Sequence, residues 1–228
     1  GATPTIGDYL LPECSAAFIH RHPKVQMEII SGAVSDIAER VEAMSVDLGI
    51  IDTTCNRNTL QIEPIADDHM VVFAAPAHPL AQQPQVSMAE LRAASWCVRT
   101  APSGTRIVLA TMLGGAIPDI RFAASTYEAV RSVVLAGLGL GFASMRVIAR
   151  QVAAGELVVI DTDSPDLNRK FTLLVPKNVY HGPLPTAFAD HLRAWFATER
   201  TMTRELAKDT ALRSVPMEHR SRRPRASV

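Results

Sequence analysis

Cysteine is scarce in this sequence. Cys14, Cys55 and Cys97 are odd in number, far apart and set among apolar or mixed neighbours. That excludes a disulfide framework and reads as small buried thiols of a reducing compartment. No apolar run approaches the roughly 20 residues of a membrane span. The stretch from Val130 to Phe142 is interrupted by Arg131 and carries Gly137, Gly139 and Gly141. No secretory signal opens the chain, so the expectation is a cytoplasmic protein without a membrane partner. An excess of one charge is also missing, since 23 Lys and Arg stand against 23 Asp and Glu. From Glu199 onward the balance is eight basic to four acidic, which leaves the preceding residues with fifteen to nineteen. A mildly acidic body with no pattern ending in a basic recognition helix argues against direct DNA binding by this part of the protein.

The signatures of catalysis are absent as well. His20 and His22 are two apart on a helical pattern and point in different directions, and no His, Cys or carboxylate cluster has metal-ligand spacing. Neither Ser103 nor Ser144 sits in a Gly-x-Ser-x-Gly elbow. Gly137, Gly139 and Gly141 follow a helix and enter a strand, the reverse of the order in a dinucleotide-binding turn. No enzyme activity, cofactor or metal is expected.

What is present is a chain of 228 residues, 47% hydrophobic, enough to bury the core of one large or two small domains. Strand-like and helix-like runs alternate, as in α/β proteins built on a mainly parallel sheet. The pattern predicts a helix from Tyr9 to His22, a strand over Val25–Ile30, a helix on Val34, Ile37, Ala38 and Val41, and a buried strand at Asp47–Ile51. Leu60–Ile65 and Met70–Ala75 read as two apolar runs separated by Asp67-Asp68. Proline-rich residues 76–80 then suggest a crossing into a second lobe. That lobe holds the strand at Trp96, a helix over Thr105–Leu113, a strand at Ile120–Ala123, a helix over Tyr127–Ala136, a strand at Leu140–Ala143, a helix over Met145–Val152 and a strand at Leu157–Ile160. Phe171–Val175 returns, and Phe188, Leu192, Trp195 and Phe196 mark a last amphipathic helix. The expected division is 1–74 with 170–198 as the first lobe, 75–169 as the second, and 199–228 as a basic, disordered tail.

Two stretches look like ligand seats. Arg99-Thr100-Ala101-Pro102-Ser103-Gly104-Thr105-Arg106 joins an apolar strand to a helix, an order that points free N–H groups at a polar or anionic ligand. Thr3-Pro4-Thr5-Ile6-Gly7-Asp8 repeats the chemistry at the chain start, which implies one cleft between two lobes. Thr3, Thr5, Ser103 and Thr105 are each read as a ligand contact or a helix cap, and Gly104 as a backbone requirement that also allows close approach. Arg99 can clamp an oxyanion or form an ion pair at the cleft edge. Gly32 and Asp52 lie beyond strand ends, where ligands of open sheets bind, although a loop cap is the default for Asp52. Ser125 and Thr126 precede a helix as Thr3 and Thr5 do.

With these residues in place the chain resembles the effector-binding domain of LysR-type transcriptional regulators, over roughly residues 1 to 198. The likeness rests on an ordered series: Thr3 to Pro12, Phe18 with His22-Pro23, Asp47 to Ile51, Pro64-Ile65 with Met70-Val71-Val72, His78-Pro79-Leu80-Ala81, Trp96 with Arg99, Ser103 to Arg106, and Ala129-Val130 through Gly141. One departure is Pro102, where the family commonly has glycine and proline supplies no N–H.

The resemblance implies the type 2 periplasmic-binding-protein fold, two Rossmann-like lobes joined by crossing strands with a ligand cleft between them. It further implies a small effector, in keeping with an anion, and a homodimer or homotetramer. DNA contact would run only through an N-terminal winged helix-turn-helix that these residues do not include. A periplasmic solute-binding protein of the same fold is the main rival, opposed by the free thiols and the missing signal. An enzyme on this scaffold is the remoter one.

Overall fold

The computed structural model describes residues 1–164 and 168–213, the last fifteen, 199–213, as helical backbone alone. Pro4 opens α1 (Pro4–Tyr9) at a helical position where its missing N–H costs nothing. Leu10 joins it to α2 (Leu11–Arg21), which carries Pro12 in its first turn. The helix expected from Tyr9 to His22 is thus α2, starting two residues later, and the preceding residues, expected as a loop, form α1, which ends at Tyr9. Pro12 has no N–H for a continuous ladder and its ring crowds the preceding turn.

The extended residues 25–30 do not form the expected strand either. They alternate half-buried Val25, Met27 and Ile29 with exposed Gln26 and Glu28. Among the described residues, pairing there is confined to a parallel bridge between Ala2 and Ser31, with Ala2 N–H donating to the Ile30 carbonyl at 2.9 Å and Gly32 N–H to the Ala2 carbonyl at 3.1 Å. Helix α3 (Val34–Glu42) buries Ile37, Ala38 and Val41 before β1 (Gly49–Ile51).

The two runs expected around Asp67-Asp68 are one long strand, β2 (Leu60–Ala74). The acidic pair does not break it, because each carboxylate meets the cation opposite it on β7 (Asn168–Pro176): Lys170 reaches Asp67 at 2.8 Å and Arg169 reaches Asp68 at 2.7 Å. Between these strands come α4 (Met88–Ala93), β3 (Trp96–Arg99), α5 (Gly104–Met112), β4 (Ile120–Ala124), α6 (Tyr127–Leu135), β5 (Leu140–Ser144), α7 (Met145–Ala153) and β6 (Val158–Val159).

The strands form one open mixed sheet in the order β1-β7-β2-β5-β3-β4, with β6 also on β2. Pairs β3/β4 and β3/β5 are parallel, and the pairs made by β2 are antiparallel. Residues 60–69 of β2 pair with β7, and residues 70–74 pair with β5 and β6, so β2 passes from one half of the molecule into the other. Packing follows the same split. Ile6, Cys14, Phe171, Leu192 and Phe196 share a core in the first half. Met70, Val72, Trp96, Leu109 and Phe142 share one in the second, so residues 70–74 pack with the second half.

The last helix, α8, runs Pro183–Arg213, so residues 199–213, expected as the start of a disordered tail, continue it. Their sequence contains strong helix formers and neither Gly nor Pro. The remainder of that tail, 214–228, lies outside the described residues.

Candidate functional site

The end of β1, the start of α1, the β3–α5 loop and the first residue of α6 converge where the paired strands β2 and β7 pass between the two halves. Arg169 stands at their centre with its side chain 8% exposed. A buried guanidinium must be paired. Its Nε donates to Asp68 Oδ2 at 2.7 Å, one terminal nitrogen to Asp52 Oδ2 at 2.5 Å, and the other to Thr5 Oγ1 at 3.1 Å. Burial works against the charge on Arg169, but the two carboxylates outweigh it and hold its pKa above the ordinary value. Burial pushes the Asp68 carboxyl up in spite of Arg169 and of Ser144, whose hydroxyl donates to Oδ1 at 2.5 Å.

From Thr5 the chain of hydrogen bonds crosses to the other half. The Thr5 hydroxyl meets that of Tyr127 at 3.3 Å, and Tyr127 meets Thr105 in a short contact. All three residues are at most 5% exposed. Arg99 lays its guanidinium on the Tyr127 ring, 4.9 Å from the centroid, and its Nε is buried with no hydrogen-bond partner among the described residues. The ion pair expected for Arg99 at the cleft edge is not formed among them; the aromatic face holds the cation instead. Tyr9 seals the same side, packing edge-on against Tyr127 and donating to Glu128 at 3.2 Å. Burial first, then the Glu128 carboxylate, keeps the Tyr9 phenol protonated well above its usual range.

The expected site residues divide. Thr3, Thr5, Asp52, Arg99 and Thr105 gather at or beside this junction. Thr3 precedes α1 without a side-chain cap bond, and its hydroxyl is buried with no partner among the described residues. Ser103 caps α5, accepting from Arg106 N–H at 3.3 Å. A Cβ placed on Gly104 would meet Asp52 Oδ1 at 3.6 Å, an ordinary contact, so the backbone requirement expected of this glycine is not imposed by sterics. Gly32 spends its amide on the Ala2 carbonyl. Ser125 and Thr126 are exposed, and Thr126 caps α6 by accepting from Ala129 N–H at 3.3 Å. Tyr127, Asp68 and Arg169 were not singled out from sequence. A tyrosine opening a helix and an Asp/Arg pair 101 positions apart carry no local signature.

A groove of about 380 Å³ opens elsewhere, between residues 25–30 and 45–48 and beside Phe18 and Phe188. None of the expected site residues lines it. Among the described residues, no group of three His, Cys, Asp or Glu side chains is placed to hold a metal.

Comparison with known proteins fits this architecture. The LysR substrate binding domain family matches residues 1–197. The chain is 31% identical over 185 residues to the HTH-type transcriptional regulator CysL of Bacillus subtilis, covering 80% of this chain and 60% of that protein. It is 36% identical over 170 residues to the uncharacterized HTH-type transcriptional regulator YeiE of Escherichia coli K12, covering 74% and 58%. The chain thus spans about three fifths of the length of these relatives. Among solved structures, the Synechocystis PCC6803 CcmR regulatory domain in complex with 2-PG superimposes with a TM-score of 0.76 at 22% identity, covering 85% of this chain and 94% of that one. The effector binding domain of QuiR in complex with shikimate gives 0.72 at 21%, covering 87% and 95%. On the family match over residues 1–197, the chain belongs to the LysR-type family as a LysR substrate-binding domain.

Proposed function

We propose that this chain is the effector-sensing part of a LysR-type transcriptional regulator. A small molecule with an acidic group binds at the junction of the two lobes and changes their relative orientation. Thr3, Thr5, Asp52 and Gly32 are assigned to the first lobe's side of the seat, and Arg99, Ser103, Gly104, Thr105, Ser125 and Thr126 to the second's. The observation that carries the reading is the hydrogen-bonded path from Arg169 through Thr5 and Tyr127 to Thr105, which links both halves through groups a ligand can compete for. A ligand shifts such an equilibrium only by binding one lobe arrangement better than the other. The relatives named as regulators, and neighbours in complex with 2-PG and with shikimate, support a sensor over an enzyme.

In the complete regulator the change would pass through a cytoplasmic homodimer or homotetramer to a DNA-binding domain. The test is a thermal-shift screen of small acids against this chain. Hits are then examined for their effect on DNA association by the full-length protein, and sedimentation reads the assembly state. A hit that raises the melting temperature and alters DNA association is expected. Failure of every ligand that binds the junction to alter DNA association overturns the reading.

A further inference from the structure

Helix α1 carries two faces. Ile6 and Leu10, one helical turn apart, lie in the buried core of the first half. Thr5 and Tyr9, also one turn apart, turn the other way and both meet Tyr127 of the second half. Thr5 does so through its hydroxyl at 3.3 Å, and Tyr9 through an edge-on ring contact with centroids 5.9 Å apart.

Tyr9 reaches further than Thr5. Val71, Cys97, Tyr127, Val130 and Val147 share a third buried cluster, all of it in the second half, and Tyr9 is the first-half residue that packs against it among the described residues. Its hydroxyl donates to Glu128 Oε1 at 3.2 Å, and Arg131, one turn further along α6, holds Glu128 in turn. The raised pKa of the phenol keeps that donor protonated. An aromatic pair of this geometry contributes beyond the area it buries, and withdrawing the ring returns apolar surface to water. The two halves therefore cannot part along this face without unseating Tyr9.

We infer that Tyr9 is a latch between the halves: its ring, seated against Tyr127 and tied to Glu128, sets the balance between the lobe arrangement of this structure and a more open one. A contact that is either seated or withdrawn makes the balance one between two discrete arrangements. Thr5 and Tyr9 share one turn of a single helix, so whatever draws Thr5 from Tyr127 also draws out the latch. This rests on the halves moving relative to each other, as proposed above, and not on which ligand moves them.

The test is a pulsed electron paramagnetic resonance distance measurement on the 228-residue chain without ligand. Spin labels are placed at Lys24→Cys in the first half and Glu156→Cys in the second, both exposed positions. Cys55→Ser removes the partly exposed native thiol, and Cys14 and Cys97 are fully buried. Tyr9→Ala is expected to broaden the distance distribution and shift its mean. Tyr9→Phe, which keeps the ring and loses the hydrogen bond, should shift it the same way by less, and it decides the matter if Tyr9→Ala does not fold. Ile6→Val trims the opposite face of the same helix, so it should lower the melting temperature and leave the distribution as in wild type. A lowered melting temperature with an unchanged distribution in the Tyr9 variants would reduce Tyr9 to core packing and overturn the inference. Ile6→Val broadening the distribution as much as Tyr9→Ala would overturn it too. Either failure leaves the sensor reading standing, because that reading fails only on the absence of a ligand effect on DNA association.

Discussion

Arg169 on β7 lies directly opposite Asp68 on β2, and its Nε meets Asp68 Oδ2 at 2.7 Å with the Asp68 side chain fully buried. The pair sits two residues before Met70, where β2 leaves the ladder with β7 and enters the core of the second half. The strands that join the two halves are thus tied by charge at the point where they pass between them. The same guanidinium reaches on to Thr5, so the tie and the candidate ligand seat share one residue.

Removing one partner of this pair should be expensive, because the other is left charged and buried. Asp68→Ala is expected to lower unfolding free energy by about 3 kcal/mol. Chemical denaturation at neutral pH measures it. A loss well under about 1 kcal/mol would show that Asp52 alone satisfies Arg169.

Gly139, in the turn after α6, and Gly141, on β5, are both held by close approach. A Cβ on Gly139 would lie 2.5 Å from the Ser95 carbonyl oxygen, and one on Gly141 2.2 Å from the Phe73 ring. Gly139→Ala presses on backbone and should cost about 3 kcal/mol. Gly141→Ala presses on a side chain, so adding Phe73→Leu should restore part of its loss. Melting temperatures of the two single variants and the double variant decide the matter.

Glu63 on β2 accepts two hydrogen bonds from Arg193 of α8, at 2.9 and 2.7 Å, and these hold its carboxyl below the ordinary range in spite of partial burial. A depressed acid contributes stability that is complete above its unfolded value, 4.5, and is lost as pH falls through the folded value. Both side chains are about a third exposed, so screening keeps the effect small. Melts of Glu63→Gln and wild type should therefore differ at pH 7 and converge under acid. A gap that persists in acid would assign the difference to packing.

Ser103 and Ser87 both cap helices, Ser103 at α5 beside the junction and Ser87 at α4. Either Ala variant should lose about 1 kcal/mol of stability. Ser103→Ala alone should also weaken a junction ligand, since the capping oxygen keeps its hydrogen free to donate. Equal ligand affinity in both variants would reduce Ser103 to a cap.

Much of the fold was legible because hydrophobic periodicity and turn residues act locally. Trp96-Cys97-Val98 reads as a strand, Ser103 as a helix start, and Leu140 to Ala143 as a buried strand, and each stands where the pattern put it. Asp67-Asp68 misled, since two acids inside an apolar run look like a break until the cations opposite them are known. Residues 25–30 misled in the other direction. Their alternation is that of a strand, but a ladder also requires a partner along its length, and among the described residues only Ala2 bridges it.

The sequence by itself determined the α/β class, the order of most elements and the hydroxyl-bearing loops, because each depends on the chemistry of neighbouring residues. Tertiary structure alone decided what those hydroxyls meet. Thr5 and Tyr127 are 122 positions apart and Arg169 and Thr5 are 164 apart, and no local rule brings them together. Those contacts depend on the paired strands β2 and β7 passing between the two halves beside Asp68 and Arg169, with a buried cluster packed on either side. Burial there turns ordinary side chains into an ion-paired, hydrogen-bonded junction.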